Sequence, residues 1–277
     1  MDGRKLANKA NIMASTHKRT WQKQRFGHFL ATVHLDAVAD AHGVEQHKGL
    51  ADVARRLVRL MDEQRLPTTW AVSDPAHSAA TSLVMRSDVD HEMAILGDAN
   101  WVGPTAGRTR FARELARRVS QARHAGIEIT TLVPRVAPVE RHLDLVLKQR
   151  IAAIGGAQEP NGRPASPRSL HYGLWEFPAA RSLPLAGSSF LFNGGWSTWR
   201  QVRRAASSAA TFHLVIDAPA LLEQGPRAEK TIHRLVRRVA ELRNRGLVSV
   251  ETLGAAAARL SEVPAITPQR SILRRAA

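Results

Sequence analysis

The sequence predicts an α/β fold, a distorted (β/α) barrel of seven or eight mostly parallel strands. Three observations carry this expectation. Short apolar runs alternate with amphipathic helical patterns along most of the chain, which is the rhythm of a parallel sheet with covering helices. The 277 residues suit one domain with tails. No GxGxxG follows the first apolar run, which disfavours an open dinucleotide-binding sheet.

The elements follow in order. Phe29–Asp36 (FLATVHLD) reads as a buried strand. Lys48–Arg65 places Leu50, Val53, Ala54, Leu57, Leu60 and Met61 on one helical face, with most of its arginines off that stripe. Pro67 ends this helix, and Thr68–Ser73 (TTWAVS) is the second strand. A short helix over 78–86 precedes the third strand, His91–Leu96. Arg108–Ala125 is a second amphipathic helix, with Gly126 as its C-terminal cap. Ile127–Val133 is the fourth strand, a helix spans 138–149, and Arg150–Ile154 is the fifth strand. Gly155–Arg168, rich in Gly, Pro and Ser, reads as a long loop. Tyr172–Phe177 is the sixth strand, and a glycine-containing loop with Trp196 and Trp199 enters a helix ending near Ala206. Thr211–Asp217 is the seventh strand, and Glu229–Arg245 a helix closed by Gly246. Leu247–Val250 and Leu253–Leu260 supply a last strand and helix. The barrel is expected over 29–265, between a basic tail at 1–28 and a short basic tail at 266–277.

Composition narrows the function classes. The chain has no Cys, which removes disulfides, thiol catalysis and thiolate metal sites. No apolar run is long enough to span a membrane, and the basic N-terminus lacks the apolar core of a secretory signal. A cytoplasmic location is the expectation. Net charge is +16, of which residues 1–28 carry +6 and residues 266–277 carry +3. The remaining +7 reads as spread along solvated helix faces. A zinc finger, an RNA-binding aromatic motif and a Gly-rich phosphate loop are all missing. Polyanion contact is therefore expected only as weak attraction through the tails.

In a barrel, functional groups stand at the carboxyl ends of the strands. Those ends carry Asp36, Ser73–Asp74, Leu96–Asn100, Pro134–Arg135, Glu176–Pro178 and Asp217–Pro219. His34 and Asp36 are two apart on one strand and share a face. Asp98 follows Gly97 and reads as a turn residue or as a polar lining of the pocket, and Asn100 lies close by. Trp101 and Trp196 near strand ends are candidates for stacking on sugar rings, and equally for ordinary packing.

The ordered segments resemble the polysaccharide deacetylase family, the NodB-homology domain, over roughly Phe29–Leu260. The resemblance rests on Leu35-Asp36-Ala37, TTWAV, DHEMAILGDANW, Arg113-Glu114-Leu115, VPRVAP, FHLVIDAP, LRNRG and LVSVETL. It implies a distorted barrel and metal-dependent N-deacetylation, with one Asp and two His as ligands of a divalent metal, commonly zinc. Those three ligands correspond here to Ala37, Leu96 and Asn100. The late acid His corresponds to Asp217, whereas Asp36 matches the base and Arg135 the residue that orients it. Ala and Leu coordinate nothing, and one Asn carbonyl is a poor zinc partner.

The expectation is accordingly a deacetylase-like protein that binds a carbohydrate or glycan-like ligand without metal-dependent hydrolysis. No cofactor is expected. Asp36, Arg135 and Asp217 are the catalytic candidates, working or vestigial. Trp101, Trp196, Glu176, Asp98 and Asn100 are the substrate-binding candidates. The alternative is a metal-free hydrolase of C–N or glycosidic bonds built on Asp36, Asp98, Asp217 and Glu176. A misplaced third strand would bring His91 or Glu92 to the site instead, and neighbours on a strand face opposite sides.

Overall fold

The computed structural model of the chain describes residues 26–36, 49–103, 105–135, 139–158, 166–183 and 194–262. The strands are β1 (Gly27–His34), β2 (Thr69–Val72), β3 (Glu92–Gly97), β4 (Thr131–Pro134), β5 (Ala153–Gln158), β6 (Arg168–Ser169), β7 (Trp175–Ala179), β8 (Arg181–Leu183), β9 (Thr211–Asp217) and β10 (Val248–Glu251). The helices are α1 (Leu50–Glu63), α2 (Ala79–Val84), α3 (Ala99–Val102), α4 (Arg108–His124), α5 (Leu143–Lys148), α6 (Gly194–Ser207), α7 (Ala218–Gln224), α8 (Pro226–Asn244) and α9 (Leu253–Glu262).

The sheet runs β6-β7-β5-β4-β3-β2-β1-β9-β8, with every pair parallel except β6–β7. It curls until its ends meet. β7 pairs with β5 and β8 pairs with β9, yet the two are consecutive pieces of one segment. Between them Ala180 N donates to the His213 carbonyl at 2.9 Å. A bend after Pro178 thus lets one stretch of chain bridge the two sides of a distorted barrel. β1 divides its other edge: Gly27–Leu30 pairs with β10 and Thr32–His34 with β2.

Alternation along each strand separates two cores. Phe29, Val33, Trp70, Ile95, Leu132, Phe212 and Leu214 face outward to the helices. Leu30, Ala71, Ala94, Leu96, Val133, Ala153 and Phe177 fill the barrel with Leu253, Ala256 and Ala257 of α9. Small residues on the inner face leave room for that helix to cap the amino end.

Several boundaries differ from the sequence expectation. β4 starts at Thr131, four residues late, because Ile127 and Ile129 are buried without joining the ladder. The 138–149 region is a 3-10 turn at Glu140–His142 followed by α5. β5 runs on through Gly155 and Gly156 into the segment read as loop. There a Cβ at Gly156 would meet Pro178 Cα at 2.9 Å, so glycine permits the close approach of β7. β6, β8 and α7 were not expected: two are very short, and α7 is started by Asp217 and Pro219 straight from β9. Residues 1–25, Ala37 and 263–277 lie outside the described residues, and Gly27 and His28 of the expected tail belong to β1.

Candidate functional site

The carboxyl ends of β1, β4 and β9 bring together Asp36, Arg135 and Asp217. Arg135 Nη2 donates to the Asp36 backbone carbonyl at 2.7 Å and lies 3.3 Å from Asp217 Oδ2. The Asp36 carboxylate accepts a hydrogen bond from Ser73 N, past the end of β2. Asp217 Oδ1 caps α7 by accepting from Ala220 N at 3.0 Å. Arg135 N donates to the Gly97 carbonyl at 2.9 Å, so its backbone continues the β3–β4 ladder. The Arg135 side chain is 11% exposed and that of Asp217 26%. Five strands therefore fix this trio, and one guanidinium nitrogen of Arg135 serves the other two members.

Two histidines lie beside it on the inner face. His34 is in register with Asp217 across β1–β9. It is buried, and its Nε2 has no hydrogen-bond partner. Burial, with the nearby Arg135 charge and His213, pushes its pKa down to about 3. His213 Nδ1 lies 2.9 Å from the Phe177 carbonyl and Nε2 lies 2.8 Å from Thr32 Oγ1. Burial lowers its pKa to about 4. A neutral ring whose Nδ1–H donates to a carbonyl must accept at Nε2, so Thr32 donates its hydroxyl proton. Arg135 Nε is likewise buried without a partner. The site thus combines one shared guanidinium, two carboxylates and a neutral imidazole with unused hydrogen-bonding capacity.

The other candidates fall elsewhere. Asp98 caps the single turn of α3, accepting from Asn100 N at 2.8 Å, and Asn100 is exposed beside it. The expectation for Trp101 does not hold: it is 2% exposed, packed against Phe111 at 5.7 Å and under the Arg118 guanidinium at 5.2 Å. No sugar ring reaches a face so covered. Glu176 alternates with Phe177, which fills the barrel, so it faces the other way and pairs with Arg168 at 3.0 Å. It does not join the trio. Trp196 is 58% exposed, but on the outer helix α6 rather than over the strand ends. His91 lies outside the barrel, against Trp70 and 2.9 Å from Asp62. Glu92 points inward, at the opposite end of the barrel from the trio.

Ser73 stands at a strand end named from the sequence, whereas Arg118 is a partner of the site that the sequence reading does not include. Arg118 is buried, donates to the Ser73 carbonyl, and sits on the apolar stripe Phe111, Leu115, Val119, Ala122 of α4. An arginine inside an apolar stripe was the available signal.

The zinc implied by the resemblance does not fit the donor set. Leu96 packs in the barrel with Ala71, Ala94 and Val133. Asn100 is exposed. Among the described residues no group of three or more His, Asp or Glu stands arranged to hold a metal. No helix among them is long and apolar enough to cross a membrane.

No family model and no curated protein matches the sequence. Solved structures match the fold. A Parabacteroides distasonis protein described as a "putative glycoside hydrolase/deacetylase" gives a TM-score of 0.58 at 11% identity, over 84% of this chain and 71% of that one. Puue allantoinase gives 0.60 at 10% identity, over 88% and 93%. A branching enzyme of glycoside hydrolase family 57 from Thermococcus kodakaraensis gives 0.56 at 10% identity, over 86% and 71%. At these identities the likeness is one of fold: an α/β barrel of the kind used by hydrolases and deacetylases.

Proposed function

We propose that the chain is a deacetylase-like protein that binds a carbohydrate at the carboxyl end of its barrel without metal-assisted hydrolysis. One observation carries the reading. Arg135 ties Asp36 and Asp217 into a single polar cluster, while the apolar Leu96 occupies a position where the family it resembles has a metal ligand. Carboxylate oxygens accept from vicinal sugar hydroxyls, and a guanidinium donates to the neighbouring oxygens of the same ring. The names of two fold relatives, a glycoside hydrolase/deacetylase and a branching enzyme, support a sugar ligand.

Calorimetry with N-acetylated glucosamine oligomers, in EDTA and then in Zn²⁺, tests this. The expected result is binding that survives EDTA, weakens at least tenfold in Arg135→Ala, and is accompanied by no acetate release. Zinc-dependent acetate release overturns the metal-free reading. A second reading rests on the same trio: Asp217, beside the Arg135 guanidinium, and Asp36, whose backbone carbonyl that guanidinium bonds, form the carboxylate pair of a metal-free glycosidase. Reducing-sugar release abolished by Asp217→Asn would establish it in place of simple binding.

A further inference from the structure

Two neighbouring helices carry much of the positive charge outside the end segments of this chain. Residues 194–207 and 226–244, the helices α6 and α8, hold nine Lys and Arg against two Glu, an excess of seven. The two end segments of the sequence hold the other nine of the +16, so the rest of the chain sums to zero, the excess of five on α4 being offset by acids elsewhere.

The two helices are neighbours. A Cβ at Gly195 would lie 2.6 Å from Thr231, and the Arg238 guanidinium sits 5.4 Å over the Trp199 ring. Spacing puts Trp196, Arg200, Arg203 and Arg204 on one stripe of α6, and Arg227, Lys230, Arg234 and Arg237 on one stripe of α8. All eight are exposed. None of the seven cations has an ion pair with a described carboxylate. Some exposed arginines elsewhere are matched, Arg55 with Asp52, Arg59 with Glu63, Arg108 with Asp144 and Arg117 with Glu114, whereas Arg86, Arg110, Arg123 and Arg245 stand singly rather than in a stripe. Of the two acids on α8, Glu229 is already taken by Arg56 at 2.7 Å. Leaving seven like charges side by side is unfavourable unless a partner neutralises them.

Position indicates the partner. The far end of α6 packs on Gly27 at the start of β1, and Arg243 near the end of α8 donates to the Gln64 and Arg65 carbonyls below β2. Both helices therefore begin at the rim where Arg135 and Asp217 stand and run down the outer wall. The basic face is about 15 Å long, from the helical rise between Arg227 and Arg237. Trp196, with its ring free for an apolar sugar face, stands at the rim end.

We propose that the α6–α8 face binds an acidic polysaccharide, the same polymer whose end or branch enters the carboxyl-end cleft. This rests on the carbohydrate reading and gives it a substrate class, a linear glycan bearing carboxylates or sulfates. Arginine forks engage such groups two oxygens at a time.

Fluorescence titration of the full-length protein with alginate oligomers tests it. Neutral cello-oligomers of equal length and oligothymidylate of equal charge serve as the other arms. The variant is R200E/R203E/R234E/R237E, whose exposed positions allow folding to be checked by circular dichroism and thermal melting. Alginate is expected to bind with steep salt dependence and to weaken at least tenfold in the variant, in which binding of N-acetylated glucosamine oligomers to the cleft is unchanged. Equal alginate affinity in both proteins overturns the face. Tighter oligothymidylate than alginate, lost in the same variant, overturns the glycan and makes the face a nucleic-acid surface. Loss of binding in Arg135→Ala alone, with the face variant unaffected, keeps the cleft reading and discards this one.

Discussion

The two ends of the barrel treat buried polar groups in opposite ways. At the amino end Glu92 receives hydrogen bonds from Thr69 at 2.9 Å, Thr130 at 2.8 Å, Thr131, and the Gly254 amide at 3.0 Å. Nearby, Glu251 is held by His28 at 2.7 Å and by Arg259 at 2.8 and 3.0 Å. Burial opposes its charge, yet these donors keep its pKa below the usual value. At the carboxyl end Arg135 is shared between a carbonyl and a carboxylate, its Nε is unpaired, and His34 Nε2 has no partner. A saturated cluster is a fixed part of the fold. An unsaturated one holds its groups in place by the sheet instead, at a cost in stability, and leaves them able to bond something else.

The interior histidines give the largest expected effect. His34 and His213 bind protons in the unfolded chain near pH 6.5 but in the fold only near 3 and 4. The unfolded state therefore holds more protons between those values, and stability falls as pH drops below about 6.5. Each histidine contributes up to about 1.4 kcal/mol per pH unit once the pH is well below 6.5, so the pair removes about 3 kcal/mol between pH 6.5 and pH 5. Urea unfolding across that range measures it. His34→Gln should remove about half of the slope, whereas a slope unchanged in that variant would show His34 to be charged in the fold. His91, whose pKa burial also lowers despite Asp62, adds in the same direction.

Glu92→Ala comes next, with an expected loss of about 3 kcal/mol, because three hydroxyls and an amide lose a charged acceptor inside the barrel. Ligand affinity at the far end should not change. Gly254→Ala tests the same cluster through sterics. Its Cβ would meet Glu92 Oε1 at 2.5 Å and Thr130 Oγ1 at 2.6 Å, and a cost of about 2 kcal/mol is expected. Thermal melting of either variant at wild-type temperature would mean that the amino end is not the saturated plug described.

Much of the barrel can be read from sequence because its signals are local. The α1, α4 and α8 stripes and the β1, β3 and β9 runs carry their periodicity within a dozen residues. β6 and β8 cannot be read this way, since two or three residues have no period and their pairing depends on partners far along the chain. The trio Asp36, Arg135 and Asp217 was marked by its position at strand ends, and the structure brings it together. Trp101 and Glu176 show the limit of that rule. Residue type nominated both, but helix packing buried one and strand alternation turned the other away. Arg118 shows the converse, a cation hidden in an apolar stripe whose role depends on what its helix packs against.

Arg135→Ala is the smallest expected effect on stability and the sharpest test of the contrast between the ends. The side chain is nearly buried, yet it leaves behind only one carbonyl and a carboxylate that keeps its bond to Ala220 N and stays about a quarter exposed. Water can replace the lost donor, so about 1 kcal/mol of stability should go, against about 3 for Glu92→Ala. Sugar affinity should move the other way, falling at least tenfold in Arg135→Ala and not at all in Glu92→Ala. Paired unfolding and calorimetric titrations of both variants read the two quantities separately. If Arg135→Ala proves as destabilising as Glu92→Ala while binding is retained, the carboxyl-end cluster is a second structural plug, and the ligand site must lie elsewhere on the barrel.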